Sequence, residues 1–314
     1  MTGIIGSGFG LYGYLPSLVQ HSNKKVALLR KAYETFKKRP ELQFCEQQIV
    51  WMDNEADFFD AVGTVIFCVP PDVQTACLTK YSNRSNIKRI VLEKPVAVSP
   101  EISDEFLHLL LRQHKSIRVG YTFQYLDWGK QLIDIFQSTP DTIKNISIRW
   151  SFKAHHYKNN LSNWKRYNSA GGAVIRFYGI HIIALLAQLG YTNVLQSESR
   201  GFTNDDLFLW KALFSNDHLP PFNILVDSNA DTENFTLSID YKKEVHKEPF
   251  IVSKPVPFGG NNFDGVDGRT GLLAQLIGSF DNTIQSSSYF NFYFKVNELW
   301  SLVESIDQWK PGKT

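Results

Sequence analysis

Short apolar runs alternate with amphipathic stretches through the first 120 residues, and each run stops at glycine, proline or charge. Gly3 to Ile5, Lys25 to Leu29, Ile49 to Met52, Thr64 to Val69, Ile87 to Leu92 and Ser116 to Thr122 are predicted strands. Between them, Pro16 to Gln20, Ala32 to Lys38, Asp53 to Ala61, Asp72 to Lys80 and Pro100 to His114 are predicted helices. In the last of these, Phe106, Leu109 and Leu110 share one face. Strand and helix alternating at this spacing predict a parallel sheet with helices on both faces. Thr64-Val65-Ile66-Phe67-Cys68-Val69 is apolar without interruption, as a strand covered on both faces should be.

The texture changes near Tyr125. A predicted helix, Asp127 to Ser138, leads into Ile143-Lys144-Asn145-Ile146-Ser147-Ile148-Arg149-Trp150, whose alternation implies a sheet with one apolar face. Gly171-Gly172 opens a predicted helix that runs to Leu189. Strands are predicted at Asn223 to Asp227, Phe235 to Tyr241 and Phe250 to Pro255, and helices at Leu272 to Phe280 and Phe292 to Ile306. The expected division is a dinucleotide-binding domain over 1–122 and an α+β domain for substrate binding and oligomerisation over 123–314. Its final helix is a candidate to pack back on the first domain.

Bulk composition narrows the class. A chain of 314 residues with 43% hydrophobic and 20% charged residues has material for two cores. A formal charge of +2 gives no broad basic field for nucleic acid, and Lys37-Lys38-Arg39 reads as a solvated helix face. Cys45, Cys68 and Cys77 form no disulfide framework and no metal spacing, which fits a reducing compartment. The opening residues lack a basic leader and a long apolar stretch, so no signal peptide is expected. No run approaches the roughly 18 apolar residues of a membrane span. Ile180 to Leu189 is too short and contains His181 and Gln188, so it reads as a buried helix. The expectation is a cytoplasmic protein with a small-molecule ligand, and neither nucleic acid nor membrane as partner.

Chemistry enters at Gly6-Ser7-Gly8-Phe9-Gly10, between the first strand and a helix. A pyrophosphate needs backbone N–H groups at a helix start with no Cβ in the way. Gly6 permits the turn and Gly8 the close approach. Leu11 stands where the third glycine of the Rossmann fingerprint falls, with Gly10 and Gly13 nearest. About 20 residues on, where NAD binders carry an acid for the ribose, this chain has Leu29, Arg30 and Lys31. These cations suit the 2′-phosphate of NADP rather than NAD, or are two surface charges after an edge strand.

Glu93-Lys94-Pro95 follows directly on an apolar strand, where the carboxyl ends of a doubly wound sheet face ligand. A lysine there can bond a substrate hydroxyl or exchange its proton, or simply be solvated. The sequence here resembles the Gfo/Idh/MocA oxidoreductases, which include glucose–fructose oxidoreductase and inositol dehydrogenase. The resemblance is carried in order by Gly6-Ser7-Gly8-Phe9-Gly10 with Leu15-Pro16, Cys68-Val69-Pro70-Pro71 and Val91-Leu92-Glu93-Lys94-Pro95. It continues through Val119-Gly120-Tyr121, Asn163-Trp164-Lys165 and Gly171-Gly172 to Gly179-Ile180-His181. It implies a Rossmann domain followed by a domain with a large, open, mostly antiparallel sheet, often the face of a homodimer or homotetramer. It also implies hydride transfer between a nicotinamide and a hydroxyl-bearing carbon of a sugar or cyclitol.

By this resemblance, Lys94, His181 and Tyr178 are the candidate catalytic residues. Gly6, Ser7, Gly8, Phe9, Gly10, Arg30, Lys31, Cys68, Val69, Pro70, Glu93 and Lys94 are the candidate cofactor residues. Tyr121, Gln124, Trp164, Lys165, His181, Asp267 and Arg269 are the candidate substrate residues. Two departures stand out. Phe177 and Ala184 occupy positions where the family often has acids, and Gln124 replaces an arginine. A sensor that binds NADP without redox chemistry, or a redox-neutral enzyme, is the alternative. Lys153, His155, His156, Tyr157 and Arg166 are further polar candidates. Neighbouring residues on a strand point to opposite faces, so His155-His156 gives no metal site. In the loop from Asn261 to Arg269, Asp267 caps the next helix, or Asp264, Asp267 and Arg269 reach a polyol or anionic group.

Overall fold

The computed structural model describes residues 1–22, 24–258, 265–282 and 286–312. They divide into two compact units. The first comprises the described residues of Met1–Ala97, Asp104–Thr122 and Gly260–Asn291, the second those of Val98–Ser103, Phe123–Gly259 and Phe292–Thr314.

In the first unit, strands β1 (Thr2–Ile5), β2 (Val26–Leu29), β3 (Ile49–Met52), β4 (Thr64–Phe67), β5 (Arg89–Leu92) and β6 (Ser116–Val119) alternate with helices. The helices are α1 (Leu15–Ser22), α2 (Tyr33–Lys37), α3 (Glu55–Ala61), α4 (Pro71–Tyr81) and α5 (Pro100–Arg112), the last shared between the units. All six strands are parallel, in the order β3-β2-β1-β4-β5-β6. That order is the Rossmann order, with its topological switch between β1 and β4. The apolar runs are the buried centre of the sheet: Val65, Ile66, Phe67, Val91 and Leu92 are almost wholly enclosed. Asn54 caps α3 by accepting the Asp57 amide at 2.9 Å. Pro40–Gln48, for which the pattern gave no element, is a succession of tight 3₁₀ turns that buries Leu42 and Cys45.

In the second unit, α6 (Asp127–Ser138), β7 (Ile143–Lys153), α7 (His155–Lys158) and α8 (Ile180–Leu189) precede β8 (Val194–Gly201), β9 (Leu207–Asn216), β10 (Leu219–Asp227), β11 (Asn229–Tyr241) and β12 (Phe250–Lys254). Next come α9 (Thr270–Gly278), which belongs to the first unit, the shared α10 (Ser286–Ser305), and β13 (Asp307–Pro311) in the second. The sheet runs β12-β11-β7-β10-β9-β8-β13. β7–β10 and β8–β13 are parallel pairs and the other neighbours antiparallel. Alternation gives one apolar face, with Ile146, Ile148, Trp150, Phe222, Ile224, Leu237 and Ile239 buried. The other face presents Asn145, Ser147, Arg149, Lys211, Asn223 and Asp240 along an open groove.

Three strands escaped the sequence pattern. β9 had a usable signal, because Trp210, Ala212 and Phe214 alternate on the buried face. β8 and β13 are polar and had none. β13 is held by chemistry instead: Asp307 accepts hydrogen bonds from Ser197 (2.7 Å) and Ser199 (2.5 Å) on β8. The single helix expected from Gly171 to Leu189 is also interrupted. Gly171 (φ 81°) and Ala173 (φ 59°) are left-handed, and a widened π turn over Val174–Gly179 precedes α8. A non-glycine residue held this way costs on the order of 1–3 kcal/mol, which the surrounding packing must offset.

Asp307→Ala leaves two buried hydroxyls short of an acceptor. It should destabilise the second unit by about 1–3 kcal/mol and speed amide exchange at Trp309 and Lys310, read by hydrogen exchange with urea denaturation. Unchanged exchange in β13 would show that backbone pairing alone holds the strand.

Candidate functional site

The glycine turn leaves β1 as the motif requires. Gly6 has φ 122°, and a Cβ there would stand 2.2 Å from the Cys68 carbonyl oxygen. Only glycine fits. Gly8 is exposed with nothing within 4 Å of an added Cβ, so the backbone there is open to approach. Leu11 N donates to Gly8 O at 2.9 Å. The amides before Leu11 therefore belong to those a helix start leaves without an intrahelical acceptor. A partial positive charge and unhindered donors suit a diphosphate. Gly10 supplies the close strand–helix contact of the missing third glycine, since its Cβ would meet Ile4 Cγ2 at 2.7 Å. Ser7 is exposed, while Phe9, Cys68, Val69 and Pro70 are half-buried around the turn.

Glu93-Lys94-Pro95 lies at the carboxyl end of β5, and the Lys94–Pro95 bond is cis. Tyr14, which closes the widened turn Gly10–Tyr14 just before α1, donates its hydroxyl to Glu93 Oε1 at 2.8 Å. Burial raises the Glu93 carboxyl pKa, against the opposing pull of Lys94, the Tyr14 hydroxyl and Arg269. Gly120 makes room for that carboxylate, because a Cβ there would stand 2.8 Å from Oε1. Below the turn, wholly buried Gln74 donates Nε2 to the carbonyls of Glu93 (3.0 Å), Pro95 (3.4 Å) and Val96 (2.9 Å). Its Oε1 accepts the Glu93 amide at 3.1 Å. Lys94 is half-buried on this braced turn. Burial also raises the Cys68 thiol pKa, so Cys68 is a packing group and not a thiolate. Tyr121 is buried, and its phenol pKa is raised for the same reason.

Arg30 and Lys31 are exposed at the end of β2 and ion-paired. Arg30 Nε is 2.5 Å from Asp53 Oδ1, and Lys31 Nζ is 3.3 Å from Glu55 Oε1.

Asp267 and Arg269, candidates for substrate contact, lie against the glycine turn. Their side chains form a two-point pair (2.8 and 2.7 Å), and the guanidinium lies 4.3 Å from the centroid of the Phe9 ring. The Arg269 amide donates to Asp267 Oδ1 at 2.9 Å, so the acid does organise the entry to α9. Asp264 lies outside the described residues. Ser17 Oγ bonds Thr270 O at 2.8 Å, which docks α9 on α1. The sequence could not show this docking, since more than 240 residues separate the partners.

No family model and no curated protein matches the chain by sequence. Solved structures match its fold. KijD10, a 3-ketoreductase from Actinomadura kijaniata solved with NADP and TDP-benzene, gives a TM-score of 0.73 at 12% identity over 99% of each chain. GenD2 from gentamicin A biosynthesis, solved with NAD, gives 0.70 at 12% identity over 97% of this chain and 93% of that one. A super-repressor mutant of Gal80p from Saccharomyces cerevisiae gives 0.69 at 12% identity over 97% and 94%. The chain has their two-domain fold. No described helix is long and apolar enough to cross a membrane.

In the second unit, His181 opens α8, buried and stacked on Phe123 (centroids 4.8 Å apart, planes at 11°), with Phe258 edge-on at 5.7 Å. Tyr178 packs edge-on against Trp150, Phe152 and Phe177, and burial raises its phenol pKa. Phe177, in the expected place of an acid, has the ring edge of Trp164 at 5.2 Å and the Lys165 ammonium at 5.3 Å. Ala184 is buried and Gln124 half-buried. His155 is exposed while His156 is buried on α7, not on a strand as expected. Lys153 pairs with Asp231 at 3.0 Å. Asp206, unremarked in the sequence, accepts from Tyr157 (2.8 Å) and Arg166 (2.7 Å).

His156 makes a measurable pH signature. Burial, then Arg166, lowers its pKa from 6.5 to about 4. Above pH 6.5 both folded and unfolded chains hold it neutral, and its contribution is constant. Below that the unfolded chain takes the proton first, so stability falls as pH drops from 6.5 towards 4, by roughly 3 kcal/mol in all. Urea midpoints for wild type and His156→Gln across this window should converge as pH falls. Parallel curves would show a histidine that titrates normally.

Proposed function

We propose that this chain is an NADP-dependent oxidoreductase of the Gfo/Idh/MocA type. It moves hydride between a nicotinamide and a hydroxyl- or carbonyl-bearing carbon of a sugar-like small molecule. One observation carries the reading: the Tyr14–Glu93 hydrogen bond ties the glycine turn to the turn bearing Lys94. Both turns lie at the carboxyl edge of one parallel sheet, where such sheets take ligand. The fold of NADP- and NAD-bound neighbours supports it.

The residues present fit the cofactor. Gly6, Ser7, Gly8, Phe9 and Gly10 receive the pyrophosphate, with Cys68, Val69 and Pro70 flanking it. Arg30 and Lys31 receive the 2′-phosphate. When bound, the nicotinamide supplies or accepts the hydride. Lys94 moves the proton at the substrate oxygen, and Glu93, held by Tyr14, braces the turn that carries it. His181 and Tyr178 are the second unit's candidates for proton transfer. Tyr121, Gln124, Trp164 and Lys165 position the substrate. The polar open face of the second sheet receives a second copy, and the compartment is cytoplasmic.

The alternative, a sensor that binds cofactor without turnover, is favoured by Phe177 and Ala184 standing where acids were expected. With a panel of sugars and nucleotide sugars, Lys94→Ala should lower turnover about 10²- to 10⁴-fold and leave NADPH binding within a few-fold. Undiminished turnover removes Lys94 from the chemistry. Binding without turnover on any substrate favours the sensor.

A further inference from the structure

We propose that Asp53 sets how strongly the chain prefers NADP over NAD, by holding Arg30 as an internal counter-ion. The proposal rests on the reading of Arg30 as a 2′-phosphate ligand. Leu29 and Met52 are register partners on adjacent parallel strands, so residues 30 and 53 leave the sheet side by side. Arg30 Nε reaches Asp53 Oδ1 at 2.5 Å. One position along, Lys31 faces Glu55, which also accepts the Tyr81 hydroxyl at 2.7 Å and lies 3.7 Å from Lys80. Glu55 is thus held by three donors, Lys31 after β2 and Lys80 and Tyr81 at the end of α4. Asp53 is 74% exposed and its ion pair is with Arg30.

The corner therefore opposes two carboxylates to the two cations expected to greet a phosphate. An incoming 2′-phosphate must take Arg30 from Asp53 and sit beside that carboxylate. A ribose 2′-hydroxyl has no charge to be repelled and can donate to it. NAD binders keep such an acid at the end of the second strand, and here it comes from the end of the third. The pair is exposed and screened by solvent, so it yields to a dianion at small cost and modulates selectivity without blocking NADP. Asp53 is a positioning and selectivity residue, acting through Arg30.

The test titrates wild type, Asp53→Asn, Arg30→Ala and the double variant with NADPH and NADH at fixed ionic strength, following nicotinamide fluorescence. Asp53→Asn keeps the side-chain shape and Asn54 still caps α3. It should tighten NADPH about three- to fivefold and leave NADH within twofold or weaker. The gain should shrink at high salt and vanish in the Arg30→Ala background. A NADPH:NADH ratio unmoved by Asp53→Asn, or moved equally without Arg30, overturns the proposal. If Arg30→Ala lowers the ratio while Asp53→Asn does nothing, only the role of Asp53 falls. If Arg30→Ala leaves the ratio untouched, the NADP reading falls and Asp53 with it. Failure to bind either dinucleotide sinks both.

Discussion

A phenol hydroxyl meeting a half-buried carboxylate joins the two chemically interesting parts of the first unit. Tyr14 belongs to the helix that begins at the glycine turn, and Glu93 to the strand end that carries Lys94. Hydrogen bonds to charged acceptors are roughly twice as strong as neutral ones. This one works where water does not compete freely. Its geometry depends on residues that contribute only space: Gly120 leaves room for the carboxylate, and Gly10 lets the helix settle on β1. The edge-on contact of Phe9 with Tyr14 (5.5 Å between centroids) fixes the ring. The glycine turn and the turn bearing Lys94 are thereby joined at the sheet's edge.

The parts of this arrangement that were legible in the sequence are those with short-range causes. Parallel strands announce themselves by continuous apolar runs, and the glycine turn by residues that no Cβ could replace. Glu93-Lys94-Pro95 was visible because it interrupts such a run with charge. What stayed hidden depends on distant partners. Tyr14 reads as one more aromatic, and nothing beside it points to Glu93, 79 residues away. Gln74 reads as a polar residue on an ordinary helix. Arg269 reads as part of a polar loop, and only the folded chain lays it on Phe9. The ion partners of Arg30 and Lys31 come from the next strand's end, which a scan along the chain meets as a helix start.

The second unit shows a different economy. Around His181 and Tyr178 the sequence supplies apolar groups where carboxylates were expected, Phe177 and Ala184; Phe177 packs against Trp164 and Tyr178, and Phe123 faces the imidazole. Ring faces carry partial negative potential, and Lys165 lies over one at 5.3 Å. Such a surface can hold a cation without offering a proton acceptor.

Gln74 has a consequence that its neutral chemistry conceals. Its amide nitrogen faces three carbonyl oxygens in a place closed to water, and its oxygen faces one N–H. Exchanging that nitrogen for oxygen, as spontaneous deamidation does, would alter the shape by almost nothing. It would nevertheless set a carboxylate against three oxygen lone pairs. A molecule that aged in this way would lose the brace under the turn that carries Lys94 before it lost the strand pairing of the sheet beside it.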